Sequence, residues 1–553
     1  YYPASNCISI SRRASRAFFF CMTETQEQRS MSKRSPIPVI DLFAGPGGLG
    51  EGFSSILDPL RNPHFSLKVS AEKDLAAYKT LSLRSLYRKF PRGKAPDCYY
   101  EHIRGEISRD ELFNHPDAAE AGQEALEEAR NFELGKDDPN DLDRRIQAAL
   151  GGADNWVLIG GPPCQAYSLA GRSRRTHESL AKFESDEKHF LYREYLRIIR
   201  RHKPAVFIME NVKGMLSSRH SGSPIFDRIV EDLSKPGEDL EYQIRSLVKP
   251  GIAGEIEPYD FVIEAERFGI PQGRHRVILF GIRSDVACSV SELSSSPESF
   301  VLGHENMRVT VGEALSGLPA LRSRLSKEKD GHEQWLEALS QTVDKLRRYP
   351  QKVLEPVFEE MNRAVKTAHH HASVGGGFQA FDTTLNMMRD RLADWYIDRR
   401  LGGVIQHETR SHMRSDLHRY LFVAAYGRVK GFSPKIADLP PPLLPAHGNV
   451  FSEKVPFADR FRVQLEGSWS STVVAHIAKD GHYFIHPDPS QCRSLTVREA
   501  ARLQTFQDNY FFAGNRTEQY TQVGNAVPPL LARKIAGVVL KFMDAWNRSR
   551  THR

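Results

Sequence analysis

Cysteine is scarce in this 553-residue chain, and the little there is shows no arrangement for bridging or metal binding. Cys7, Cys21, Cys98, Cys164, Cys288 and Cys492 form no CxxC pair and no ligand-like spacing with histidine. That argues against a disulfide framework or a structural zinc site, and for a reducing, cytoplasmic setting. Long apolar runs are lacking too. None approaches the ~18 residues of a membrane helix, so no membrane association is expected. The stretch from Ala17 to Cys21 is too short for a secretory signal core. Neither charge dominates: 76 Lys and Arg against 69 Asp and Glu leave a net +7. The sequence pI of about 8.9 admits a polyanionic partner without demanding one. There is no internal repeat and no heptad run. What remains is ordinary globular material, 40% hydrophobic and 26% charged, long enough for two or three domains.

Strand-like and helix-like segments alternate from Pro38 to Arg283, including the apolar runs at 38–43, 67–72, 155–159, 205–209 and 276–281. This pattern predicts a mostly parallel α/β sheet covered on both faces. Beyond 283 come a serine-rich stretch, two helical segments, a Gly375–Gly377 break and a Pro440–Pro442 break. Regular α/β character returns near Ser494. The expected divisions are an N-terminal extension at 1–35, a catalytic α/β domain at 36–283, an insert at 284–483 and a return to the catalytic domain at 484–550. The chain opens on Tyr1, with Met22 and Met31 as candidate starts, so the extension is set aside.

Four motifs sit at strand ends. The first, DLFAGPGGLG at 41–50, places Gly45, Gly47 and Gly50 in a GxGxxG spacing that brings backbone close to a cofactor at a helix N-terminus. Glu72, at the next strand end, suits ribose hydroxyls. Taken alone, this motif fits a plain strand-turn-helix equally well. The second is GGPPCQAYS at 160–168, in which two prolines fix the backbone ahead of Cys164. A lone cysteine is more often a small buried hydrophobe than a nucleophile. The third, Glu210-Asn211-Val212, puts a carboxylate where open α/β sheets bind ligands, although a surface cap reads the same way. The fourth, Pro271-Gln272-Gly273-Arg274-His275-Arg276, spaces two arginines to share one side of an extended chain.

In this order, and followed by RSLTVREAARLQTF at 493–506 and QVGNAVPP at 522–529, these motifs resemble the cytosine-5 DNA methyltransferase family over about residues 36–283 and 469–540. The resemblance implies a Rossmann-like S-adenosylmethionine-dependent methyltransferase sheet with a separate target-recognition region. It makes Cys164 the nucleophile on C6 of a flipped-out cytosine and Glu210 the acid at N3. Arg276, with Arg274, would hold the base O2 and the cysteine loop. The cofactor, released as S-adenosylhomocysteine, would rest on Asp41, Phe43, Ala44, Gly45, Gly47, Gly48, Glu72, Pro162, Asn525 and Ala526. No metal is implied. Tyr167 stands where many relatives carry Phe, and Pro46 follows the first motif glycine. Glu106 matches the family's adenine-side acid poorly.

The implied partner is double-stranded DNA. A cognate restriction endonuclease acting independently, a monomeric state and a nucleoid-associated, prokaryotic location follow from the same likeness. The basic run from His407 to Arg419 could contact phosphates or guanine edges, and for any single residue there a solvated face is at least as good a reading. His369, His370 and His371 read as a loop. Three other functions stay open on sequence: a tRNA cytosine methyltransferase, a silent DNA-binding relative, and a nicotinamide oxidoreductase suggested by the glycine motif.

Overall fold

The computed structural model describes residues 35–163, 191–220, 223–349, 352–381, 392–445 and 458–551. The N-terminal extension lies outside these up to residue 34, as does Cys164 with the rest of its motif. The first half of the chain supplies β1 (Ile37–Leu42), α1 (Gly48–Ser54), β2 (Phe65–Glu72), α2 (Leu75–Arg88), β3 (Ala129–Asn131), β4 (Val157–Gly160), α3 (Leu191–His202), β5 (Val206–Val212), β6 (Tyr242–Arg245), β7 (Val262–Glu264) and β8 (His275–Arg283). They form one sheet in the order β3-β2-β1-β4-β5-β8-β6, with β7 also on β8.

Alternation of side chains decides how this sheet is buried. Val39, Val157, Ile159, Val206, Ile208, Ile278 and Phe280 face one core. Ile40, Leu42, Leu158, Phe207, Met209, Val277 and Leu279 face the other. Both faces are therefore apolar, as continuous Val/Ile/Leu runs require. The expectation of a mostly parallel sheet is met by β3, β2, β1, β4 and β5. It fails at β8, which runs antiparallel to β5, β6 and β7. β8 is entered from β7 through the ten residues 265–274, too few for a crossover helix, and so short a return imposes an antiparallel pair. The reversal brings the start of β8 to the rim where β1, β4 and β5 end. The chain passes from β1 to β2 on one side and returns to β4 on the other, so a crevice opens between the ends of β1 and β4.

The later elements are α4 (His332–Arg347), α5 (Glu355–Ala368), β9 (Gly375–Ala380), β10 (Gly403–Glu408), α6 (Arg414–Lys430), α7 (Val497–Leu503), α8 (Arg516–Asn525) and α9 (Pro529–Thr551). The sheet core continues past residue 283 through Val286, Leu293, Phe300 and Leu302, which pack with Phe542 and Trp546 of α9. The expected boundary at 283/284 thus falls inside one core. A separate core joins α4, α5 and α6 to Phe461, Val463 and Ile485. The return of the chain to the sheet is tight: a Cβ on Gly52 of α1 would come within 2.3 Å of the Ala532 Cβ in α9.

Candidate active site

The turn after β1 has three left-handed residues, Phe43 (φ 56°), Gly45 (φ 58°) and Gly47 (φ 97°). Glycine meets this demand freely; Phe43 does so at a cost. The Ala44 N–H donates to the Ala71 carbonyl and the Gly47 N–H to the Ala44 carbonyl. The Gly45 N–H donates to Glu72 Oε2 at 2.8 Å, and the Asp74 N–H to Glu72 Oε1 at 2.7 Å. Burial nevertheless raises the Glu72 carboxyl above its usual range. A side chain on Gly45 would meet nothing within 4 Å, so the turn faces open space. Gly48 lies beneath it against the Val527 carbonyl, which a Cβ would approach to 2.2 Å.

Asp41 does not face that space. It is fully buried, and burial pushes its carboxyl up to about 8 against the lowering pull of Arg88 and of the Gly50 N–H. Its Oδ2 lies 3.0 Å from where a Gly50 Cβ would stand. Asp41 therefore lies beneath the turn, against Gly50, and not on the open side where the cofactor is expected to rest.

At the end of β4, a Cβ on Gly160 would stand 2.5 Å from the Leu42 carbonyl oxygen, and one on Gly161 3.1 Å from Glu210 Oε2. Pro162 is buried and Pro163 half-buried. Glu210, near the end of β5, receives Arg276 Nε on Oε1 at 2.9 Å, with the two side chains 14% and 15% exposed. Arg276 also donates from Nη1 to the His275 carbonyl at 2.8 Å. The register that pairs Arg276 with Val212 and Ile278 with Glu210 places the two side chains at one end of neighbouring strands.

The two arginines do not share one side, as their spacing predicts. Arg274 precedes β8, outside the extended strand, and turns inward. It is 2% exposed and donates from Nη1 to the carbonyls of Val473 (3.0 Å) and Gly524 (3.4 Å). Burial, then Arg276, pulls its pKa well below the usual guanidinium range. Arg274 thus ties the C-terminal segment to the sheet. Asn525, beside Gly524 at the end of α8, is exposed, and Ala526 is buried. Glu106 pairs with Arg104 on the surface.

The basic run at 407–419 is mostly interior, contrary to both readings. His407 bonds Thr496 Oγ1 and the Pro319 carbonyl, Arg410 the Ile477 carbonyl, and His412 Ser494 Oγ. Arg414 pairs with Glu328 and Glu337, and Arg419 with Asp416. Charge alone cannot distinguish such joints from a phosphate-binding face. Sequence reasoning also missed Tyr510, whose hydroxyl donates to the Pro46 carbonyl, and the role within the fourth motif of Gln272, which joins Leu503, Gln504 and Val473. Both act across hundreds of residues and leave no local signal. A cavity of about 600 Å³ lies at the far end of α1, walled by Glu51, Arg84, Tyr87 and Trp395, away from this crevice.

A glycine turn, a carboxylate held by arginine and a Gly-Gly-Pro-Pro turn on one sheet rim define a methyltransferase-like crevice. The comparisons narrow the class. The family model for C-5 cytosine-specific DNA methylase matches residues 123–541, so the chain belongs to that family and is a DNA (cytosine-5)-methyltransferase of the type II restriction-modification kind. It is 33% identical over 518 residues to the type II methyltransferase M.Bpa9945I of Bacillus paralicheniformis, covering 91% of this chain and 98% of that protein. It is 27% identical over 520 residues to M.AgeI of Thalassovita gelatinovora, covering 90% and 98%. A solved E. coli prophage protein described as a DNA modification methyltransferase shares the fold, with a TM-score of 0.50, 17% identity and coverage of 92% and 99%. No helix among the described residues is long and apolar enough to cross a membrane.

Proposed function

We propose that the chain transfers a methyl group from S-adenosylmethionine to C5 of a flipped-out cytosine in a specific double-stranded DNA sequence, through a transient bond between Cys164 and C6. The observation that carries this is the Glu210–Arg276 pair set against Gly161, three residues before Cys164. The cofactor fits the crevice: open space fronts Gly45, Glu72 stands at its edge, and Gly48 leaves room only for backbone beneath. Phe43, Ala44, Gly45, Gly47, Glu72, Pro162, Asn525 and Ala526 would hold it. When bound, it supplies an electrophilic methyl on a sulfonium.

The residues of this chain do the rest. C5 of an intact cytosine is a poor nucleophile. Addition of the Cys164 thiolate to C6 pushes electron density toward C5 and N3. Glu210, as the acid, holds N3 by a hydrogen bond that strengthens as charge develops there. Arg276 occupies Oε1, which leaves Oε2 toward the Gly161 turn. Once C5 is methylated, loss of its proton to a base, with water as one candidate, lets the ring re-form and expel the thiolate. Stacking shields the ring in a duplex, so the base must leave the helix, at a cost of roughly a few kcal/mol. The same reading makes the chain a monomeric, nucleoid-associated modification enzyme with an independently acting nuclease partner. Assay of methyl incorporation into duplex DNA and into tRNA tests the substrate. Wild type labels DNA and Glu210→Gln lowers its kcat at least about a hundredfold; labelling of tRNA alone overturns the reading.

A further inference from the structure

Outside the crevice, on the strand pair that positions Arg276, lies a group of side chains to which the mechanism assigns no task. Glu264, Glu266 and His275 each offer one ligand atom, all within 4.8 Å of one another, the one such group among the described residues. Two are fixed by the sheet, because His275 and Glu264 are direct partners in the β7–β8 register. The third sits in the single helical turn at Ala265–Phe268 that follows β7. His275 Nε2 lies 2.9 Å from Glu266 Oε1. Glu266 is 8% exposed, yet its other oxygen, Oε2, has no hydrogen-bond partner among the described residues. A buried carboxylate oxygen without a donor is costly, and a bound cation is one of the few things that relieves it. Arg267 takes Glu264 Oε2 at 2.6 Å, leaving Oε1 with only the Tyr259 hydroxyl at 3.4 Å. His275 and Glu264 keep part of their surface open, so an ion can enter.

We infer that Glu264, Glu266 and His275 bind a divalent first-row transition ion, with zinc the best match to two carboxylates and one imidazole. Magnesium fits poorly, since it prefers all-oxygen octahedral sites. The sequence reading assigned no metal because the ligands come from two strands and a turn, with no motif spacing. The ion pins the start of β8, one residue before Arg276, and so stiffens the rim from its outer side.

The test is titration of zinc alone into metal-free full-length protein, followed by equilibrium dialysis and thermal melting. One equivalent binds and raises Tm, while magnesium at the same concentration does neither. Glu266→Gln and His275→Gln each weaken zinc binding about tenfold or more, and His370→Gln leaves it unchanged. Cobalt loading of wild type, which needs no variant to fold, gives visible bands without thiolate charge transfer. No saturable zinc binding, binding untouched by both substitutions, or a thiolate band overturns the assignment.

Discussion

The sheet and the joint that returns the chain to it are built from opposite materials. The sheet buries Val, Ile and Leu on both faces. The joint around α7 buries charge. Arg493 meets Glu499 at 2.7 Å and Arg502 meets Asp508 at 2.7 Å, with all four side chains at most 4% exposed. Arg498 has no carboxylate partner among the described residues. It donates to the carbonyls of Ile405, Gln507 and Tyr510, and burial pulls its pKa down to about 10. The apolar sheet gains by burial of area and tolerates small losses. The joint gains by geometry: its arginines also donate to the carbonyls of Leu321, Ile405 and Ser316, and Gln272 beside the sheet donates to the Leu503 carbonyl, directional bonds that fail when one partner is removed.

That contrast can be broken from either side. Glu499→Ala should be the most damaging change. It leaves the Arg493 guanidinium buried without its partner and removes the cap that Glu499 makes with the Thr496 N–H, for a loss of about 3–5 kcal/mol in urea unfolding. Asp41→Asn comes next and probes the buried acid of β1. The unfolded chain releases this proton from its ordinary value of 3.8 upward, whereas the fold keeps it until about 8. The folded state therefore binds more protons in that window, and stability is lost as pH rises through it. Wild type should lose roughly 2 kcal/mol more than Asp41→Asn between about pH 6 and pH 8, read from melts across pH. Ile208→Val, deleting one methylene from the sheet core, should cost only about 1 kcal/mol.

The same contrast explains what could be read in the sequence. Apolar runs ending in Gly, Glu or Gly-Gly-Pro-Pro marked the strands and the rim, because burial and turn chemistry act locally. Glu72 and Glu210 accordingly stand at or near strand ends, and the glycine turn directly after β1, as the sequence pattern indicates. Strand direction was not legible: nothing in the run from His275 to Arg283 distinguishes a parallel strand from an antiparallel one, and the short connection before it decides. Nor was the inward path of Arg274, whose acceptors at Val473 and Gly524 lie far along the chain. The basic run at 407–419 misled for the same reason. Buried and solvated arginines are the same letters, and only the carbonyls they meet tell them apart.

The central claim is a transient sulfur–carbon bond. Incubation of the full chain and S-adenosylmethionine with a duplex bearing 5-fluorocytosine at the modified position, followed by denaturing mass analysis and peptide mapping, tests it directly. The account predicts a covalent protein–DNA species linked at Cys164 and absent from Cys164→Ser. A wild-type enzyme that methylates unmodified DNA yet forms no such species, or a linkage that survives in the serine variant, would contradict it.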